Sequence, residues 1–186
     1  MEGNDSLVGG AGNDYLNVEF STGNNTLNGG VGDDVLDAGA TSGNNLLSGG
    51  DGNDYLNASN VYSSVSEYIY YPSSSNNTLN GGAGDDTLNA DSPSGNNLLS
   101  GDDGNDYLST SGIYTYRSEP NFSSSGNNTL DGGTGDDILR AEISTGNNLL
   151  SGGDGNGEQR DLVRLSKKGA MPSAGYAYAK NLCRRT

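Results

Sequence analysis

The sequence predicts an all-β fold, a right-handed parallel β-roll solenoid with coils of roughly 20 residues. Three observations predict it. A Gly-rich turn ending in aspartate recurs six times, leucines recur at alternating gaps of nine and eleven residues, and the segments between turns alternate apolar with polar residues. Period-two alternation is the mark of a strand with one buried face.

The first turn type reads Gly-Gly-x-Gly-[Asn/Asp]-Asp and closes on Asp14, Asp34, Asp54, Asp86, Asp106 and Asp137. In the fifth copy Asp102 replaces the second glycine, which either strains that turn or adds a ligand. The strand after this turn alternates, as in Leu16-Asn-Val18-Glu-Phe20, Leu36-Asp-Ala38-Gly-Ala40 and Leu139-Arg-Ala141-Glu-Ile143. That pattern sends Leu, Val or Ala, and Phe or Ile inward. The second turn type reads [Ser/Thr]-Gly-Asn-Asn, and Asn25, Asn45, Asn77, Asn97, Asn128 and Asn148 hold the place taken opposite by aspartate. The strands after it, such as Thr26-Leu27-Asn28, read as the shorter ones. Coils stacked at about 4.8 Å make a rod of roughly 30 Å.

A two-coil unit overlies this pattern, and outward Leu46, Leu98 and Leu149 form a lateral stripe within it. Two Tyr/Ser-rich inserts, near 58–75 and 110–125, precede the asparagine edge, so the aspartate edge runs uninterrupted. They follow the outward Tyr55 and Tyr107 and either shield that row or offer an adaptable contact surface for a cell-surface or extracellular ligand. The repeat gives out at Gly157, dividing the chain into a roll over 1–157 and a basic tail over 158–186, read as a cap or a disordered end.

Composition sharpens the reading. Twenty-four acidic residues face nine basic ones for a net charge of −15, and seven of the nine basic residues follow Asn156. Nucleic acid and anionic membranes are therefore poor partners for the repeat region, and cations are natural ones. Cys183 is the lone cysteine and histidine is absent, so no internal disulfide and no imidazole base or ligand exists. No segment reads as a membrane span and residues 1–20 lack the form of a cleavable signal peptide. No nucleophile–base pair stands out, so the chain reads as non-catalytic.

Stacking brings the six aspartates into one column with five gaps between them. Each gap offers two carboxylates and several carbonyls, the oxygen-rich set that Ca2+ accepts. Magnesium demands stricter octahedral geometry, and zinc prefers the nitrogen and sulfur ligands missing here. Neighbouring carboxylates repel by at least a few kcal/mol per pair at protein-surface dielectric. Emptied of metal, the edge should open, and the roll with it.

These turns resemble the repeats-in-toxin family of haemolysin-type calcium-binding repeats, whose nonapeptide is Gly-Gly-x-Gly-x-Asp-x-apolar-x. The resemblance spans about residues 3–155. It implies a parallel β-roll, calcium between turns, and a secreted bacterial protein that folds on meeting extracellular calcium. It also implies a ligand set: the six aspartates together with carbonyls at Gly10, Gly12, Gly30, Gly32, Gly50, Gly52, Gly82, Gly84, Gly104, Gly133 and Gly135. The asparagine edge departs from the pattern, since a neutral amide leaves the ion's charge uncompensated; a stacked Asn ladder suits it better. The basic tail departs from the family's export segment. Two other readings are an adhesive or ice-binding surface repeat using rows such as Thr22/Asn24 and Ser42/Asn44, and the repeat segment of a larger toxin or hydrolase.

Overall fold

The computed structural model describes residues 2–59, 61–63, 68–70, 75–91, 95–111, 126–141, 144, 146–155 and 164–165. The other insert residues, Ile143 and the tail apart from Arg164–Leu165 lie outside that set. The described residues hold two parallel sheets and a small hairpin, with no helix.

The first sheet stacks β1 (Ser6–Ala11), β3 (Thr26–Val31), β5 (Leu46–Asp51), β9 (Thr78–Ala83), β11 (Leu98–Asp103), β13 (Thr129–Thr134) and β15 (Leu149–Ser151). The second stacks β2 (Tyr15–Asn17), β4 (Val35–Asp37), β6 (Tyr55–Asn57), β10 (Thr87–Asn89), β12 (Tyr107–Ser109), β14 (Ile138–Ala141) and β16 (Arg164–Leu165). Successive coils sit in register, so Leu27 lies against Leu47 and Leu36 against Leu56. Two leucine columns meet inside the roll, with ten leucines fully buried beside Val18, Ala38, Ala58, Ala90 and Ala141. Two buried leucines contribute about 3–6 kcal/mol per coil. That is little apolar burial for so long a coil, so the edges matter to its stability.

Two expectations are corrected. The strands after the asparagine turns are the longer ones, six residues against three, because they continue through the Gly-Gly doublet; Gly10 pairs with Gly30 and Gly30 with Gly50. Phe20 does not point inward. It is 49 % exposed at φ 60°, and Ala40 sits at φ 53°. The strand has already ended there, because the side chains of Asn17 and Asp37 accept the main-chain N–H of Glu19 (2.8 Å) and Gly39 (2.9 Å). Such Asx turns compete with the ladder and close it. Buried Ser21 follows, its N–H donating to the Val18 carbonyl at 3.1 Å.

The inserts leave the stack intact. Leu47 pairs with Leu79 across the first insert and Leu99 with Leu130 across the second. Within the first insert β7 (Val61–Ser63) and β8 (Tyr68–Tyr70) form an antiparallel hairpin. At the far end Arg164–Leu165 pairs in parallel with β14, so part of the basic tail extends the second sheet. On the outer face of the first sheet, exposed Leu46, Leu98 and Leu149 alternate with Thr26, Thr78 and Thr129.

Candidate metal centre

Each aspartate turn begins where a long strand runs into two glycines. The glycines singled out by the repeat, from Gly10 and Gly12 through Gly133 and Gly135, all adopt positive φ, between 95° at Gly133 and 145° at Gly104. Coils also pass so closely that a Cβ on Gly30 would collide with the Gly10 carbonyl, and one on Gly52 with the Gly32 carbonyl. Asp102 occupies a glycine place at φ 74°. That conformation costs an L-residue about 1–2 kcal/mol. Its carboxylate accepts from Asn80 Nδ2 (2.6 Å) and the Ser100 hydroxyl (2.5 Å) on the exposed face.

The six aspartates form one column along this edge, buried from Asp34 to Asp137 and partly buried at the terminal Asp14. Each main-chain N–H donates to the next aspartate's Oδ1: Asp14 to Asp34, Asp34 to Asp54 and Asp54 to Asp86, each at 2.7 Å. Asp86 donates to Asp106 at 2.8 Å and Asp106 to Asp137 at 3.0 Å. The link crosses both inserts unbroken. An outer row runs in the opposite sense, since Asn13 Oδ1 accepts from Asp33 N–H and Asp33 Oδ1 from Asn53 N–H, and so on to Asp136. That row alternates Asn and Asp, so no two of its carboxylates are adjacent.

The second oxygen of the inner aspartates is the unusual atom. Oδ2 of Asp14, Asp34, Asp54, Asp86 and Asp106 is buried and has no hydrogen-bond partner. A buried polar atom without a partner costs about 1–3 kcal/mol, more when charged. Beside it stands another acceptor: a Cβ built on Gly9 would lie 2.5 Å from Asp14 Oδ2 and 2.7 Å from the Gly29 carbonyl oxygen. The same space recurs at Gly29, Gly49, Gly81 and Gly101, bounded each time by the coil's own Oδ2 and the next coil's carbonyl. An aspartate oxygen without a donor beside a carbonyl oxygen forms a cradle for a hard cation.

Sequence reasoning missed the first glycine of each doublet, Gly29, Gly49, Gly81, Gly101 and Gly132, whose carbonyls stand beside Oδ2. Their own φ values lie outside the left-handed region, so the close approach requires glycine there, not the turn's handedness. The doublet itself was the available signal, since only its second member needs positive φ.

Burial pushes the carboxyl pKa values upward, and neighbouring carboxylates add to the effect against the main-chain N–H bond that lowers them. Asp54 is raised, Asp86 rises to about 7 and Asp106 to about 6. Holding these groups ionised thus calls for compensating positive charge. Among the described residues no group of three or more His, Cys, Asp or Glu side chains is placed to hold a metal ion by side chains alone. Each gap instead pairs two carboxylates with main-chain oxygens.

The asparagine edge has the same backbone link and a different second atom. Main-chain N–H groups run from Asp5 and from Asn25 onward to the next asparagine's Oδ1 at 2.9–3.1 Å. Here Nδ2 also donates to that oxygen, from Asn25 to Asn45 (2.9 Å) and from Asn45 to Asn77 (3.1 Å), and so on to Asn148. The expected Asn ladder is present and satisfied from Asn25 to Asn148, whereas at its first rung Asp5 Oδ2 is buried without a partner.

A parallel roll with an acid-lined, oxygen-rich edge defines a class, the cation-binding β-solenoids. The chain belongs to the RTX calcium-binding nonapeptide repeat family, whose four-copy model matches residues 1–19, 21–42, 40–60, 73–92, 94–112, 122–143 and 144–156, well over half its length. These repeats bind Ca2+, and RTX repeat proteins are generally secreted. No curated protein matches the chain. Among the described residues no helix is long and apolar enough to cross a membrane.

Proposed function

We propose that the roll binds Ca2+ in the gaps between successive aspartate turns, that folding is coupled to this binding, and that the chain is a structural, non-catalytic module of a secreted bacterial protein. The unpartnered Oδ2 column beside the first-glycine carbonyls is the observation that carries this reading. The holding residues would be Asp14, Asp34, Asp54, Asp86, Asp106 and Asp137 with turn carbonyls. Those carbonyls come from the positive-φ glycines of the repeat and from Gly29, Gly49, Gly81, Gly101 and Gly132. Bound calcium supplies the positive charge that lets adjacent carboxylates share an edge. The chain's own part is positioning: each main-chain N–H fixes one aspartate oxygen, which aims the other into the gap. Secretion is supported by the habit of the family, and an extracellular ligand for the inserts by their Tyr and Ser content.

Calorimetric calcium titration paired with circular dichroism tests the proposal. Up to five ions, one per gap, should bind with a gain of β signal, and chelator should return a coil spectrum. Absence of binding would remove calcium from the account, and an unchanged β spectrum in chelator would remove the coupling.

A further inference from the structure

We propose that the asparagine edge is a metal-free clasp built on the same rung as the aspartate edge, so that the metal dependence of the roll resides in one atom per coil, aspartate Oδ2. This rests on the calcium reading above.

The two edges share their primary link, in which a main-chain N–H of one coil donates to the Oδ1 of the next. The distances are 2.7–3.0 Å on the aspartate edge and 2.9–3.1 Å on the asparagine edge. Aspartate and asparagine have nearly the same shape, so the edges part company at the remaining side-chain atom. In asparagine that atom is a donor with several acceptors at hand. Asn45 Nδ2 reaches Asn77 Oδ1 (3.1 Å), the Gly43 carbonyl (3.0 Å) and the Thr41 hydroxyl (2.6 Å). Asn25 likewise reaches Asn45 Oδ1 (2.9 Å), the Gly23 carbonyl (3.0 Å) and the Ser21 hydroxyl (3.3 Å).

In aspartate the same atom is an acceptor that meets another acceptor, the carbonyl of the next coil's first glycine. A cation or a donor resolves that conflict equally well by hydrogen-bond geometry. An amide nitrogen at the Asp34 position would have the Gly49 carbonyl, an acceptor, close by. It would also remove one negative charge per coil from a column where like charges repel. The asparagine edge is therefore the finished form of an edge that, on the other side of the roll, is completed by metal.

The test replaces the four interior rungs together, Asp34→Asn, Asp54→Asn, Asp86→Asn and Asp106→Asn, leaving no gap with two carboxylates. This variant should lose calcium binding yet keep its β spectrum and thermal midpoint in chelator, where the wild type loses both. A variant that is as unfolded in chelator as the wild type, or unfolded in all conditions, overturns the inference. The reverse pair, Asn45→Asp with Asn77→Asp, should raise the ion count by one and shift the calcium-induced β transition to higher calcium. An unchanged count and transition also overturn it. The wild-type titration is read first: failure there defeats the calcium reading itself, whereas a normal wild type with unresponsive variants defeats only the clasp.

Discussion

Asn45 and Asp54 stand at corresponding places on opposite edges, both buried and both tied by Oδ1 to the preceding coil. Their protonation behaviour differs because only one carries charge. In the unfolded chain the aspartates titrate near 3.8, whereas in the fold Asp86 is pushed to about 7 and Asp106 to about 6. The fold then holds more protons than the unfolded chain from about pH 4 to pH 7, so metal-free stability falls as pH rises through that window. Chelated protein should therefore recover β signal on acidification from about pH 8 to pH 5, followed by circular dichroism, and calcium affinity should weaken over the same range. A chelated protein indifferent to pH across that range would contradict the burial of these carboxyls. The aspartate column was legible because its residues recur in step. The orphaned Oδ2 was not, since whether an oxygen meets a donor depends on which way two neighbouring coils turn their main chains.

At the level of turns and strands, the first glycine of each doublet matters more than the repeat suggested. A methyl group on Gly49 would collide with Asp54 Oδ2 and lie 2.7 Å from the Gly81 carbonyl. Gly49→Ala should cost about 1–3 kcal/mol by overpacking. It should also remove one ion from the calorimetric count although no carboxylate is lost. A wild-type titration from this variant would show that the cradle lies elsewhere. Leucine spacing made both strand columns readable in advance, and every leucine from Leu16 to Leu139 that spacing assigned inward is buried. Strand length was misjudged because Gly-Gly reads as turn, yet glycine also pairs in an extended ladder when two backbones approach closely. Phe20 was misplaced because alternation alone does not reveal that Asn17 bends the chain three residues earlier.

Over the whole molecule, the stack is continuous across both inserts. The Asp54-to-Asp86 and Asn45-to-Asn77 links span the first insert at 2.7 and 3.0 Å, close to the uninterrupted rungs. Replacing residues 60–75 with the Ala-Thr-Ser-Gly of residues 40–43 would restore regular coil length. The shortened protein should bind the same number of calcium ions and respond to chelator as before, measured by calorimetry and circular dichroism. Loss of an ion would mean that the insert belongs to the edge. Duplicated two-coil units were visible from their motifs alone, whereas the strand at Arg164–Leu165 carries no repeat signature and was found only through its pairing with β14.

The opposed inner and outer rows make every coil face polar in a fixed sense. One face presents an inner N–H with an outer side-chain oxygen, and the other face presents the reverse. Two like faces brought together would set donor against donor and acceptor against acceptor. Only head-to-tail stacking mates, so the roll carries a built-in arrow that rejects inverted self-pairing at its ends.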